Sequence, residues 1–310
     1  MSKFTIGIDV GGTNIKLGLV SPRGQILSRS RLVTRDFVRN KNKLIAALAN
    51  AIEDLIDVNG LPVKDVAGIG IGLPGLINPR KGLIHLLPNI PGWRDVPLKK
   101  ILEKKLGLPI SLENDVKLIT LAEWQFGAGR GFQNLICVAL GTGVGAGLIF
   151  NNALYRGEGF VAGELGHLPL NETGPACPCG GFGCFERYVG NQVIIAKGAK
   201  IFKKEHMTPE ELGCLADEGN IRALKVWKDI ATHIGNGLVG VVNVLNPRLI
   251  ILGGGIANHF KHLAPTIHSV IQRRAMPVQK TMVKIVRAQL GDDAGIIGAQ
   301  VLVKENTFGH

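Results

Sequence analysis

The chain has 310 residues, 45% of them hydrophobic and 19% charged, with a net charge of +12 and a pI near 9.6. That length exceeds what one compact core usually holds, so two domains are expected, and the composition excludes a disordered or fibrous chain. The basic residues are scattered; the densest groups, Lys99, Lys100, Lys104 and Lys105 and the pair Arg273 and Arg274, do not interleave with aromatics, which argues against nucleic-acid binding.

Three strands in a meander open the chain, at 4–10, 15–20 and 26–33, and a strand this early leaves no signal peptide to expect. The turns between them are Gly11-Gly12-Thr13-Asn14 and Ser21-Pro22-Arg23-Gly24. Leu44, Ile45, Leu48, Ile52, Leu55 and Ile56 then recur at helical spacing. A buried-strand run at 67–73 ends in Pro74-Gly75, and helical patterns follow at 98–106 and 118–126 with a short strand at 109–112 between them. Next comes a partial repeat. "GTNIKLGL" (12–19) and "GTGVGAGL" (141–148) match at Gly, Thr, Gly and Leu under a constant shift of 129 residues, and 135–140 plays the part of 4–10. The pattern points to duplication: two similar α/β halves facing each other across a cleft.

Further on, 223–244 is helical by periodicity, 248–252 is a strand running into a glycine triplet, 283–288 is a late strand and 293–303 is a closing helix. The longest uncharged stretches, 135–150 and 234–247, are too short to span a membrane and are broken by Gly or Asn. A soluble cytoplasmic protein without membrane partners is expected, with its thiols reduced.

Several of these turns carry chemistry. In "DVGGTNIKLG" a carboxylate, Asp9, ends a strand before a Gly-Gly-Thr turn. Glycines let backbone N–H groups approach phosphate oxygens, Thr13 and Asn14 add donors, and Asp9 suits Mg²⁺; a plain hairpin turn accounts for the same residues. "LGTGVGAG" is a second such loop, and two facing loops would clamp a triphosphate. "ILGGGIA" sends a strand through Gly253, Gly254 and Gly255 into a helix, as a nucleotide-binding turn or a tight connection. In "SLENDV", Glu113, Asn114 and Asp115 stand between a strand and a helix. N-capping explains carboxylates there, and a kinase acting on a hydroxyl needs one to accept a proton.

His167, Cys177, Cys179 and Cys184 offer one nitrogen and three sulfurs, an established tetrahedral zinc set. A disulfide between Cys177 and Cys179 would be strained, and a catalytic thiol needs only one cysteine. Few apolar residues lie between 171 and 184, so a metal is needed to order the loop. With no open coordination position the zinc reads as structural. Glu164 and Glu186 bracket it: charged residues beside a loop are ordinarily just solvated, but a zinc-held segment would make them fixed acceptors for substrate hydroxyls, with His167 free to bind the metal through one ring nitrogen and substrate through the other. Cys137 and Cys214 are expected in buried packing.

Taken in order, "DVGGTNIKLG", "GLPG", "PNIPGW", "END", "GTGVGAG", "GELGH", "CPCGGFGCFE" and "NPRLIILGGGI" resemble the ROK family of sugar kinases and repressors, over residues 4–300. The resemblance implies an actin-like ATPase (hexokinase- or ribonuclease H-like) fold, an α/β duplication in two domains flanking a cleft. The smaller domain is expected at 1–115 with 291–310 and the larger at 116–290. It implies ATP-dependent phosphorylation of a hexose, glucose first, with N-acetylglucosamine, N-acetylmannosamine, fructose and mannose as alternatives and polyphosphate as another donor. Asp115 is the implied general base. Asp9, Gly11, Gly12, Thr13, Asn14 and Lys16 fall on the first phosphate loop, Gly141, Thr142 and Gly143 on the second, and Gly253, Gly254 and Gly255 near the adenosine. Gly75, Asn89, Asn114, Asp115, Glu164, His167 and Glu186 are implied to hold the sugar, with ATP, Mg²⁺ and structural Zn²⁺ as cofactors. A homodimer is implied as well. Repressor members carry a helix-turn-helix ahead of the first strand; only three residues precede Phe4 here, and a kinase is expected over a sugar-sensing regulator.

Overall fold

Period-two and period-3.6 patterns set the elements of the computed structural model, which describes residues 3–37, 40–87 and 92–308 (307 and 308 by backbone only). The chain runs through β1 (Phe4–Val10), β2 (Asn14–Val20), β3 (Ile26–Val33), α1 (Lys41–Val58), β4 (Val66–Leu73), β5 (Leu76–Asn78), β6 (Leu83–Leu86), β7 (Arg94–Val96), α2 (Leu98–Leu106), β8 (Ile110–Asn114) and α3 (Asp115–Phe126). It continues with β9 (Leu135–Leu140), β10 (Val144–Phe150), β11 (Ala153–Tyr155), α4 (Glu186–Val189), α5 (Asn191–Phe202), α6 (Pro209–Asp217) and α7 (Ile221–Leu245). It closes with β12 (Leu249–Gly253), α8 (Phe260–Arg274), α9 (Pro277–Met282), β13 (Lys284–Arg287) and α10 (Ala294–Phe308).

Contacts divide the chain into two units, one of Met1–Arg130, Leu154–Ala162 and Leu290–His310, the other of Gly131–Ala153 and Gly163–Gln289. The first unit's main sheet has the order β3-β2-β1-β4-β8; the second unit's has β11-β10-β9-β12-β13. In each, a leading antiparallel pair, β1/β2 or β9/β10, is followed by two parallel strands. The repeat seen in the sequence is therefore a repeat of topology. This is the duplicated α/β arrangement expected of an actin-like ATPase fold.

Each unit has its own core. In the first, β1, β2 and β4 contribute Ile6, Ile8, Ile15, Leu17, Ile69 and Ile71, all fully buried against α1 residues such as Leu44, Leu48 and Ile52. The other face of this sheet carries glycines, because α10 lies directly on it. A Cβ on Gly7 would come within 2.2 Å of the Ile296 carbonyl oxygen, and one on Gly70 within 2.5 Å of that of Ala299. In the second unit the core forms between β9, β10, β12 and the long helices α7 and α8.

The unit boundary differs from the division expected at 115/116, since α3 lies wholly in the first unit. The reason is its contact with α10: a Cβ on Gly298 would lie 1.9 Å from the Leu118 carbonyl, so the two helices touch backbone to backbone. Residues 154–162 also return to the first unit. Helix α3 starts three residues before the periodicity at 118–126, because Asn114 caps it, accepting from the Val116 and Lys117 N–H groups. Cys137 is buried in β9, but Cys214 is exposed, off the side of α6 that buries Leu212 and Ala216. Among the described residues no helix is long and apolar enough to cross a membrane.

Candidate active site

In the first unit the edge-to-centre order of the sheet brings the ends of β1, β4 and β8 side by side. Asp9 pairs with Gly72, and Leu73 pairs with Asn114 in the next strand. Asp9 therefore shares its neighbourhood with Asp115, the first residue of α3. Burial pushes the Asp9 carboxyl up from 3.8 to about 6, the Asp115 charge adds to the rise, and Lys16 opposes it. Asp115 Oδ1 accepts from the Val116 N–H at 2.9 Å. The cap is made by Asn114, whose side chain accepts from the Val116 and Lys117 N–H groups, and Glu113 Oε1 accepts from the Asn114 N–H at 3.0 Å. The Asn114 side-chain amide donates to the Gly75 carbonyl at 3.5 Å.

The turn after β1 is held from behind. The Gly11 N–H donates to the Asn14 carbonyl at 2.9 Å, and Thr34 engages the Gly11 and Thr13 carbonyls through its hydroxyl (2.8 Å) and its N–H (3.0 Å). Gly12 and Thr13 are exposed at its tip. Asn14 Oδ1 accepts from Arg31 Nε at 2.9 Å. Lys16 Nζ contacts Asp292, its carbonyl at 3.3 Å and its carboxylate at 3.4 Å. Sequence reading missed Asp292 and Gly295; a Cβ on Gly295 would stand 2.7 Å from Asp9 Cγ, so only glycine leaves that carboxylate its place. The available signal was "GDDAG", acids and a glycine at the mouth of a helix.

In the second unit the turn Gly141–Gly143 is one residue shorter: Gly141 N–H donates to the Gly143 carbonyl at 3.0 Å, and the Gly141 carbonyl accepts from Asn191 N–H at 2.9 Å. A Cβ on Gly143 would come 3.0 Å from Glu186 Oε2, so this loop sits against Glu186. Gly253 ends β12 in full burial, and Gly254 adopts φ +81 against the Leu140 carbonyl. The third glycine turn and the second are thus packed at the ends of adjacent strands β9 and β12.

Glu186 in turn borders the thiol cluster. Its Oε1 accepts from the Cys177 thiol at 3.5 Å and lies 3.9 Å from His167 Nδ1. The ligand atoms of His167, Cys177, Cys179 and Cys184 all lie within 4.8 Å of one another. Cys179 and Cys184 sulfurs are 3.6 Å apart, and Cys177 Sγ is 3.7 Å from His167 Nδ1. Tetrahedral zinc with about 2.3 Å Zn–S bonds separates its sulfurs by about 3.8 Å, so this donor set fits the ion. The turn is locally encoded: Cys177 N–H donates to the Gly181 carbonyl and Gly180 N–H to that of Cys177. Because Nδ1 faces the thiols, Nε2 is the ring nitrogen on the side of Glu164, whose carboxylate is 3.9 Å away.

The structure thus collects Asp9, Lys16, Asp115, Asn114 and Gly75 in one unit, and Gly143, Glu164, His167, Glu186 and the three cysteines in the other. Asn89 lies outside the described residues.

The ROK family pattern matches the chain over residues 5–306. A glucokinase of Thermotoga maritima is 33% identical, over 98% of this chain and 98% of its own. A ROK family glucokinase from Streptomyces griseus, solved in complex with glucose and AMPPNP, is 30% identical and superposes with a TM-score of 0.82 over 97% of this chain and 99% of that one. A xylose repressor of Caldicellulosiruptor bescii is 29% identical over 96% of this chain and 77% of the repressor.

Proposed function

This chain belongs to the ROK family, and we propose that it is a sugar kinase transferring the γ-phosphoryl group of ATP to O6 of a hexose, with glucose as its preferred substrate. The observation that carries the reading is the carboxylate pair of the first unit: Asp115 at the start of α3, with Asp9 held in its field by burial and by Gly295. Asp115 accepts the proton of the sugar hydroxyl as that oxygen bonds to the γ-phosphorus; the bond to the bridging oxygen breaks and ADP leaves. The transition state of such a transfer is loose, so positioning and charge neutralisation supply most of the rate. Asp9 is the residue that would hold Mg²⁺ brought with the nucleotide, and that ion would neutralise charge on the phosphates. The turns at 11–14 and 141–143 offer backbone N–H groups to phosphates, and Gly253–Gly255 border the adenosine. Glu164, His167, Glu186, Asn114, Gly75 and Asn89 hold the sugar. His167 Nδ1 and the three cysteine thiolates would hold structural zinc, which would fix the segment proposed to carry this recognition.

Names and structures of relatives support glucose and ATP. A coupled ADP-release assay over glucose, mannose, fructose, N-acetylglucosamine and N-acetylmannosamine, with ATP and with polyphosphate, tests the reading. Glucose with ATP should give the highest kcat/KM. Absence of release with every sugar, in protein that binds glucose, would replace it with the sensor role that the similarity to a xylose repressor favours.

Asp9 gives a second test, independent of turnover. Its folded pKa of about 6 lies above the unfolded 3.8, so the folded state binds this proton more tightly. The ionised form therefore costs stability fully above pH 6, and the cost vanishes as pH falls through 6 towards 3.8. At about 1.4 kcal/mol per pH unit the cost is up to about 3 kcal/mol. Asp9→Asn should raise the urea midpoint at pH 8 and leave it little changed at pH 4, while abolishing turnover. In the parent protein kcat/KM for MgATP should fall below about pH 6. A variant destabilised equally at both pH values contradicts this account.

A further inference from the structure

The chain passes between the two units four times, after Arg130, Ala153, Ala162 and Gln289. On the first unit's side every passage is fastened to the same stretch, β8 and α3, through a buried charged side chain. Glu123, fully buried, accepts from the Ala128 N–H at 2.9 Å and from the Leu290 N–H at 2.8 Å, next to the first and last passages. Glu113, 1% exposed, accepts from Arg156 Nε at 2.6 Å. Lys117, 3% exposed, donates to the Phe160 carbonyl at 2.5 Å and lies 4.0 Å from Glu113. Arg156 also reaches Glu305 at 3.7 Å. Phe160 has φ +63, a conformation a bulky side chain rarely adopts, and the Lys117 contact helps to hold it there.

Two cations and two carboxylates make this network neutral. Buried pairs of this kind add little stability over well-packed apolar residues, so stability alone is a poor reason for them. Their placement offers a better one. Glu113 and Lys117 bracket Asp115 at two residues on either side, and the segment they grip, 154–162, runs directly into Gly163 and Glu164.

We propose that Glu113, Lys117 and Arg156 are positioning residues for Asp115: the Glu113–Arg156 pair and the Lys117–Phe160 contact fix the strand-to-helix junction that carries the base to the segment leading into the sugar-recognising turn. The proposal rests on the reading of Asp115 as the base. None of the three is among the residues proposed to hold the sugar or the nucleotide.

Removing Arg156 alone leaves Glu113 buried with less compensation, so the test uses Arg156→Gln combined with Glu305→Gln, which keeps the network neutral, beside the conservative Arg156→Lys. Calorimetric titration with glucose counts competent sites, and single-turnover mixing with ATP reads the chemical step. In the double variant the single-turnover rate should fall by about 10²-fold, the cost of a small misplacement of a reacting group. Glucose stoichiometry should stay at that of the parent and the KM for ATP should move only a few-fold; Arg156→Lys should recover part of the rate. An unchanged rate in the double variant overturns the proposal, as does a rate that falls only in step with the stoichiometry. Asp115→Asn serves as the reference: if it turns over normally the base reading itself is lost, whereas an inactive Asp115→Asn beside an unimpaired double variant rejects the positioning role alone.

Discussion

Asp115→Asn should lower kcat by about 10²–10⁴-fold, the range that positioned general bases contribute, while glucose affinity, ATP affinity and the melting temperature stay near those of the parent. The amide keeps the size of the carboxylate and its acceptor oxygen for the Val116 N–H, so α3 retains its first turn. Capping is unaffected because Asn114 performs it. Loss of the charge also relieves Asp9, whose carboxyl is pushed up partly by Asp115. The acid limb of nucleotide binding should therefore move to lower pH in the variant. That shift, read by titrating MgATP binding against pH, separates loss of a proton acceptor from general damage. Near-normal turnover in folded Asp115→Asn would refute the assignment.

Zinc removal should have the next largest effect, and it should fall on the sugar rather than the nucleotide. The stretch 171–184 has few apolar side chains to order it, and its turns depend on contacts such as Gly183 N–H to the Pro175 carbonyl. His167 and Glu186 both touch Cys177, so an ion held there would orient the two side chains proposed to meet the sugar. Parent protein should carry one zinc per chain by elemental analysis. Chelation, or Cys184→Ser, should weaken glucose binding by about 10–100-fold, the loss typical when the shell around a metal ligand is disturbed. Unfolding should begin at a lower temperature in the same samples. Turnover with glucose should recover on adding zinc to the chelated parent but not to the Cys184→Ser variant. Unchanged glucose affinity in metal-free protein would remove zinc from the recognition segment.

Both effects concern residues legible in the chain before any fold was known. Asp115 stands at a strand–helix junction that local patterning marks, and three cysteines within eight positions with His167 ten residues ahead leave few other readings. The meander and its repeat at 129 residues were equally open, because strand alternation and glycine turns are local signals. Short elements were not. β5, β6 and β7 have three or four residues each, too few to display a period. Cys214 was misplaced because the hydrophobicity of a thiol does not say which side of α6 it occupies.

What the sequence carried by itself was the duplicated α/β pattern and the grouping of His167 with three cysteines, both written in residues near one another or in regular spacing, whereas Asp115 as the base followed from the family resemblance rather than from its local pattern. Only the tertiary structure decided that Asp9 sits beside Asp115, 106 positions on, that Gly295 leaves room for it, and that Arg156 closes on Glu113. Those relations depend on which strands pair and which helix backbones touch. A contact between distant positions leaves no periodic mark in either segment, and the free energy of burying a charge exists only once the surroundings that bury it have assembled.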